Sequence, residues 1–114
     1  MFLTLVLMLK IKFCNLSDGR VVGFHILGHC GYAENGRDIV CAAVSSAAYL
    51  VINTITDVLR INPRVLNVSD GNAEFVVEES DELQCRSLLN GLREHFLGLE
   101  QLYPKNVQVD YMEV

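Results

Sequence analysis

Basic residues are scarce in this chain. Nine Lys and Arg, no two of them adjacent, stand against fourteen Asp and Glu and leave a net charge of -5. Clustered cations are what grip a phosphate backbone, so the composition argues against direct nucleic-acid binding, while an acidic surface suits a basic protein partner. No Cys-x-x-Cys spacing occurs among Cys14, Cys30, Cys41 and Cys85. All four therefore read as free thiols of a reducing cytosol. No basic residue precedes the apolar opening Met1 to Met8, which runs straight into the Lys10/Lys12 alternation, and a signal peptide is rejected. No charge falls between Ile39 and Thr56, yet Ser45, Ser46, Asn53 and two threonines interrupt that run. A buried helix is expected there rather than a membrane span, and the chain is placed in the cytoplasm with no membrane partner. Linkers, repeats and low-complexity segments are missing as well.

What is present fits one hydrophobic core. Residues 1–114 are long enough for a single domain, and 51% hydrophobic with 20% charged residues describes a compact globule. Leu7 to Cys14 alternates, with Leu7, Leu9, Ile11 and Phe13 on one face, as in a half-buried strand. Ser17-Asp18-Gly19 supplies a turn, and Val21 to Leu27 alternates again, so the two strands are expected to pair as a hairpin. Asp38 is a good N-cap for a helix running to about Arg60, which Asn62-Pro63 would stop. Ala42, Ala43, Ala47 and Ala48 make that helix small on nearly every side, and burial on most sides is expected.

A second hairpin joins Arg64–Val68 to Ala73–Glu79 through Asp70-Gly71, a favoured two-residue turn. Ser80-Asp81-Glu82 then offers a cap and two acids to a helix running to about Leu97. Cys85, Leu88, Leu89, Leu92, Phe96 and Leu99 form its apolar face. Val107–Val114 reads as a last strand. The order strand-strand-helix-strand-strand-helix-strand implies an α+β fold, a mixed or mostly antiparallel sheet with two helices packed on it.

The chemistry gathers between Gly28 and Ser45. His29 ends a strand-like run, Gly31 and Gly36 loosen the loop that follows, and Cys41 stands where the long helix begins. A cysteine attacks only as thiolate, and the first turn of a helix lowers its pKa because free backbone N–H groups present partial positive charge there. His29 can take the proton and return it to a leaving amine. Asp38 can orient the imidazole, and Ser45, one turn after Cys41, can steady the sulfur. Against this stands the plain alternative that Cys41 is a small buried hydrophobe, as most free cysteines are. His25 reads as a strand residue, His95 as a contact with the second helix's dipole, Cys14 and Cys85 as packing, and Tyr49 as core; Glu34 and Arg37 are ordinary loop charges by default.

These residues carry a resemblance. Gly28-His29-x-Gly31 followed by Gly36-x-Asp38-x-Val40-Cys41-Ala42-x-x-Ser45 resembles the signature of the ribosomal-processing cysteine proteases, the Prp family, from about Met8 to the last strand. The resemblance implies a bacterial, cytosolic, homodimeric endopeptidase that removes the N-terminal extension of a large-subunit ribosomal protein. It makes Cys41 the nucleophile and His29 the base, with Asp38 and Ser45 as supporting positions. It also makes the loop bearing Gly31, Gly36 and Arg37 a substrate loop. No metal or cofactor is implied. Two departures stand out: Cys30 occupies a place where relatives usually have a small residue such as alanine, putting a second thiol beside the base, and residues 1–7 precede the usual start at Met8. Two other classes were weighed. A metal module of His25, His29, Cys30 and Cys41 matches no common zinc spacing, and a non-enzymatic ribosome-binding or assembly factor would share the partner without cutting it.

Overall fold

A computed structural model describes residues 8–28, 37–69 and 71–114, the side chains of Arg37 and Asp38 aside. Its sheet begins with β1 (Leu9–Asn15), where Leu9, Ile11 and Phe13 are buried and Lys10 and Lys12 exposed, as alternation requires. β2 (Val21–Leu27) returns antiparallel with Phe13 opposite Phe24 and Lys12 opposite His25. The second hairpin, β3 (Val65–Ser69) and β4 (Asn72–Val76), pairs through β4 to β2. Gly71 takes φ +77, the positive value its two-residue turn demands. The last strand, β5 (Val107–Glu113), lies parallel to β1, giving the order β3-β4-β2-β1-β5. The sheet is thus mixed, antiparallel everywhere except at that edge, in an α+β fold.

Two helices contribute to the core that covers the sheet. In α1 (Arg37–Asn53), Val40, Val44, Ala48, Val51 and Ile52 are buried, spaced as one helical stripe. In α2 (Glu82–Leu102) the stripe is Cys85, Leu89, Leu92, Phe96 and Leu99. Phe96 stacks obliquely on Phe13 at 6.0 Å between ring centres, Phe13 meets Phe24 at 6.2 Å, and Phe24 meets Phe75 at 5.8 Å. A row of aromatic rings therefore ties α2 to the centre of the sheet.

Four expectations are corrected. The first helix is not buried on most sides: Ile39, Tyr49 and Leu50 are exposed at 65%, 48% and 67%, since the sheet meets one stripe only, and Tyr49 is not core. It also stops without its proline. A π-helical turn at Thr54–Val58 follows α1, Arg60 takes φ +59, and the Ile61 N–H donates to the Ile55 carbonyl. A left-handed residue thus ends the helix three positions before Pro63.

The second helix runs to Leu102, past the expected Leu97, which leaves His95 seven residues inside its end and beyond the reach of the terminal dipole. Its start differs too. Asp81 makes no side-chain cap bond, while Glu82 stands in the first turn as expected and is 1% exposed. Arg86 donates to both Glu82 oxygens at 2.7 Å, and Arg20 approaches Glu82 at 3.5 Å while also binding Asp18 at 2.8 Å and Glu79 at 3.2 Å. Hydrogen bonds from Arg86 hold the Glu82 carboxyl below its ordinary value despite burial. The cluster ties the β1–β2 turn to the head of α2.

Candidate active site

The candidate residues fall on two elements, the end of β2 and the head of α1. β2 stops at Leu27 because Gly28 adopts φ +119 and leaves no room for a side chain: a Cβ there would lie 2.7 Å from the Met8 carbonyl oxygen. The Gly28 N–H donates to the Gly71 carbonyl at 3.0 Å, so the turn of the second hairpin fixes the point at which the chain leaves the sheet. Gly28 was legible only as part of the motif; a positive φ and a close approach that no side chain could share are what require glycine there. His29 is the next residue in the chain. His29, Cys30, Gly31, Glu34 and Gly36 lie outside the described residues.

The chain re-enters at Arg37 and Asp38, the first two residues of α1. Asp38 accordingly lies within the first turn rather than ahead of it. Cys41 is the fifth residue of the helix and Ser45 the ninth, one turn apart on one face, both half-buried and flanking the buried Val40–Val44 stripe. The expected position of Cys41 in the first turn is thus corrected by one residue: only the first four N–H groups of a helix are free, and the dipole's influence falls off beyond them.

Cys41 is disulfide-bonded, which overturns the reading of four free thiols at this position. Cys14 and Cys85 are free and fully buried. Burial, with a smaller push from Glu74, raises the Cys14 thiol to about 11, and burial above all raises that of Cys85. Neither is a nucleophile at neutral pH. His25 faces the open side of the sheet with its Nε2 3.8 Å from Glu74, the polar partner expected for a strand histidine. His95 lines an apolar groove of about 540 Å³ between α1 and α2 with Ala43, Ala47, Leu50 and Leu88. Among the described residues no group of three or more His, Cys, Asp or Glu could hold a metal ion.

A cysteine near the start of α1 and a strand end that leads in sequence into a histidine are the arrangement of a cysteine peptidase of α+β fold. The chain belongs to the family described as cysteine protease Prp, whose model matches residues 8–108. The ribosomal processing cysteine protease Prp of Bacillus subtilis (strain 168) is 24% identical over 98 residues, covering 81% of this chain and 87% of the relative. Its counterpart in Staphylococcus aureus (strain Mu50 / ATCC 700699) is 25% identical over 96 residues, covering 82% and 90%. Among solved structures, the S. aureus Prp protease in complex with a substrate peptide superposes with a TM-score of 0.81 at 21% identity, over 92% of this chain and all of that one. The same protease with a covalently linked product peptide gives 0.80 at 22% identity, over the same shares of the two chains. Those two structures share the fold of this chain.

Proposed function

We propose that this chain is a cytosolic endopeptidase, folded as one domain, that cuts an N-terminal extension from a bacterial large-subunit ribosomal protein. Cys41 Sγ attacks the scissile carbonyl, His29 accepts the thiol proton and returns it to the leaving amine, and water hydrolyses the thioacyl enzyme. Backbone N–H groups at the head of α1 stabilise the oxyanion, because they are unpaired there and already oriented. Asp38 and Ser45 support the pair, one near the helix head and one a turn beyond the sulfur. Gly31, Gly36 and Arg37 belong to the segment that contacts the substrate peptide. The reaction needs no metal or cofactor, and neither nucleic acid nor a membrane is a partner.

The observation that carries this reading is the position of Cys41, half-buried on α1 with Ser45 one turn away, where the chain returns from the strand end that precedes His29. Family membership supports it, as does the ribosomal processing for which its relatives are named. Homodimerisation is part of the proposal and is supported by the exposed apolar row Ile39, Ala42, Tyr49 and Leu50 on α1, which another copy would cover. The test is incubation of the reduced protein with a peptide copying the extension, followed by mass analysis. Two fragments from a single cut are expected. An intact peptide under reducing conditions would overturn the assignment.

A further inference from the structure

The sheet ends in β5 on one side and β3 on the other, and the two edges are finished differently. β5 is guarded. It carries Asp110 and Glu113, and its Val109 N–H donates to the Glu100 carboxylate of α2 at 2.8 Å, so a donor that a new strand would need is already taken. β3 has no charged residue from Val65 to Ser69, and Leu66, Asn67, Val68 and Ser69 are all exposed. Among the described residues no strand pairs with its outer side. A bare, apolar edge of this kind is a template for another chain.

The ladder shows which groups it offers. On β4 the Val76 carbonyl accepts from Arg64 on the β3 side, whereas the Val77 N–H donates to the Val22 carbonyl of β2. Even-numbered residues of β4 therefore turn toward β3, opposite Val65, Asn67 and Ser69, and Leu66 and Val68 direct their N–H and C=O groups outward. Their side chains lie opposite Phe75 and Ala73, on the face that holds the buried Phe75, yet stand 49% and 44% exposed. Two donors, two acceptors and two apolar side chains thus form one row.

We infer that this edge takes the peptide substrate as a sixth strand, through a stretch several residues away from the scissile bond; the inference rests on the endopeptidase reading. The occupant is named by where the edge leads. Ser69 runs into the 70–71 turn, whose Gly71 carbonyl accepts the Gly28 N–H at 3.0 Å, and His29 follows Gly28 in the chain. The edge ends level with the point where β2 leaves the sheet. Three strand spacings of about 4.8 Å separate β2 from an added strand, a span that about four extended residues bridge. Only an extended chain repeats its donors and acceptors at the two-residue interval of Leu66 and Val68, which suits a terminal extension and excludes a helical partner. Main-chain bonds supply the affinity, and apolar side chains at alternate substrate positions pack beside Leu66 and Val68.

The test is amide hydrogen exchange on the full-length Cys41→Ala protein, with and without an excess of the peptide used to assay cleavage. Exchange at Leu66 and Val68 should slow by about tenfold or more with peptide, while Asn67 and Ser69, whose N–H groups face β4, change little. Kinetics supply a second arm. Val68→Pro removes an outward N–H that β4 does not use, and an edge strand tolerates proline at such a position. In otherwise wild-type protein it should raise KM for the peptide about tenfold with kcat within about twofold. Unchanged exchange at Leu66 and Val68, or a folded Val68→Pro protein with the KM of wild type, would overturn the inference. So would protection that grows with protein concentration in the absence of peptide, which would give the edge to a second copy. Should Val68→Pro fail to fold, the exchange measurement on the unaltered edge decides alone. Protection by a peptide that wild type leaves uncut would overturn the protease reading and keep the edge, whereas cleavage without protection would overturn the edge alone.

Discussion

The two helices meet the same sheet on opposite terms. α2 has a buried apolar stripe and an outer side that carries Arg86, Asn90 and Glu94, with exposed leucines only toward its two ends at Leu83 and Leu102, and the Glu82 cluster anchors its head. α1 has an equally regular buried stripe, but its other side is also apolar, and Ile39 and Leu50 stand about two-thirds exposed. The exposed apolar residues of α1 lie together in the row Ile39, Ala42, Tyr49 and Leu50, and α1 also carries the cysteine proposed as the nucleophile. Each helix bears a cysteine near its start, Cys41 as the fifth residue of α1 and Cys85 as the fourth of α2, so position along the helix alone does not make a nucleophile. Burial separates them.

The widest separation should come from those two sulfurs. Cys41→Ala is expected to lower kcat for peptide cleavage by about 10³-fold or more while leaving thermal unfolding nearly unchanged. Cys85→Ala should do the opposite, lowering stability by about 1–2 kcal/mol with activity per folded molecule retained. Parallel cleavage assays and denaturant melts check both.

The stability contrast comes next. Phe96→Ala on α2 removes a fully buried ring packed on Phe13 and should cost about 3–5 kcal/mol in urea unfolding. Leu50→Ala on α1 should shift the monomer by no more than about 0.5 kcal/mol and act instead on association, read by sedimentation as a weakened dimer. Equal losses from the two would erase the division drawn between the helices.

Glu82 gives a pH signature. Its folded pKa lies below the unfolded one, so its contribution is full above the ordinary carboxylate range and is lost as pH falls through the folded value. Glu82→Gln should cost about 1 kcal/mol at neutral pH, the half-exposed arginines limiting the effect, and should flatten the acid limb of a stability-versus-pH curve. An unchanged limb would mean that other carboxylates dominate it. Gly91→Ala should give the only gain, about 1 kcal/mol at most, because a Cβ there meets nothing within 4 Å. A melt that fails to rise would indicate that the inter-helix groove Gly91 lines needs the space.

Much of this contrast was legible in the residues. The alternation of Leu9, Ile11 and Phe13 gave β1, Val21–Leu27 matched β2 at both ends, and the i, i+3, i+4 spacing from Cys85 to Leu99 gave the buried side of α2. Period alone says which residues share a face and not what lies opposite. For that reason the exposure of Tyr49 and Leu50 and the parallel docking of β5 on β1 emerged only with tertiary structure. Glu82 stands in the first turn as read, but its pairing had no local signal: only the tertiary structure brings Arg20, sixty-two positions away, against it. At the site, Cys41 and Ser45 were readable as one helical face, whereas the strain at Gly28 depends on Met8 and Gly71 and has no local sequence signal beyond glycine itself.

The account depends on the reduced Cys41 thiol being the group that attacks the peptide. Titration of the reduced protein with iodoacetamide, with cleavage and site-resolved alkylation followed in the same samples, tests this directly. Activity should fall in proportion to carboxamidomethylation of Cys41, with Cys14 and Cys85 unmodified when cleavage reaches zero. Cleavage that persists after Cys41 is fully alkylated would contradict it.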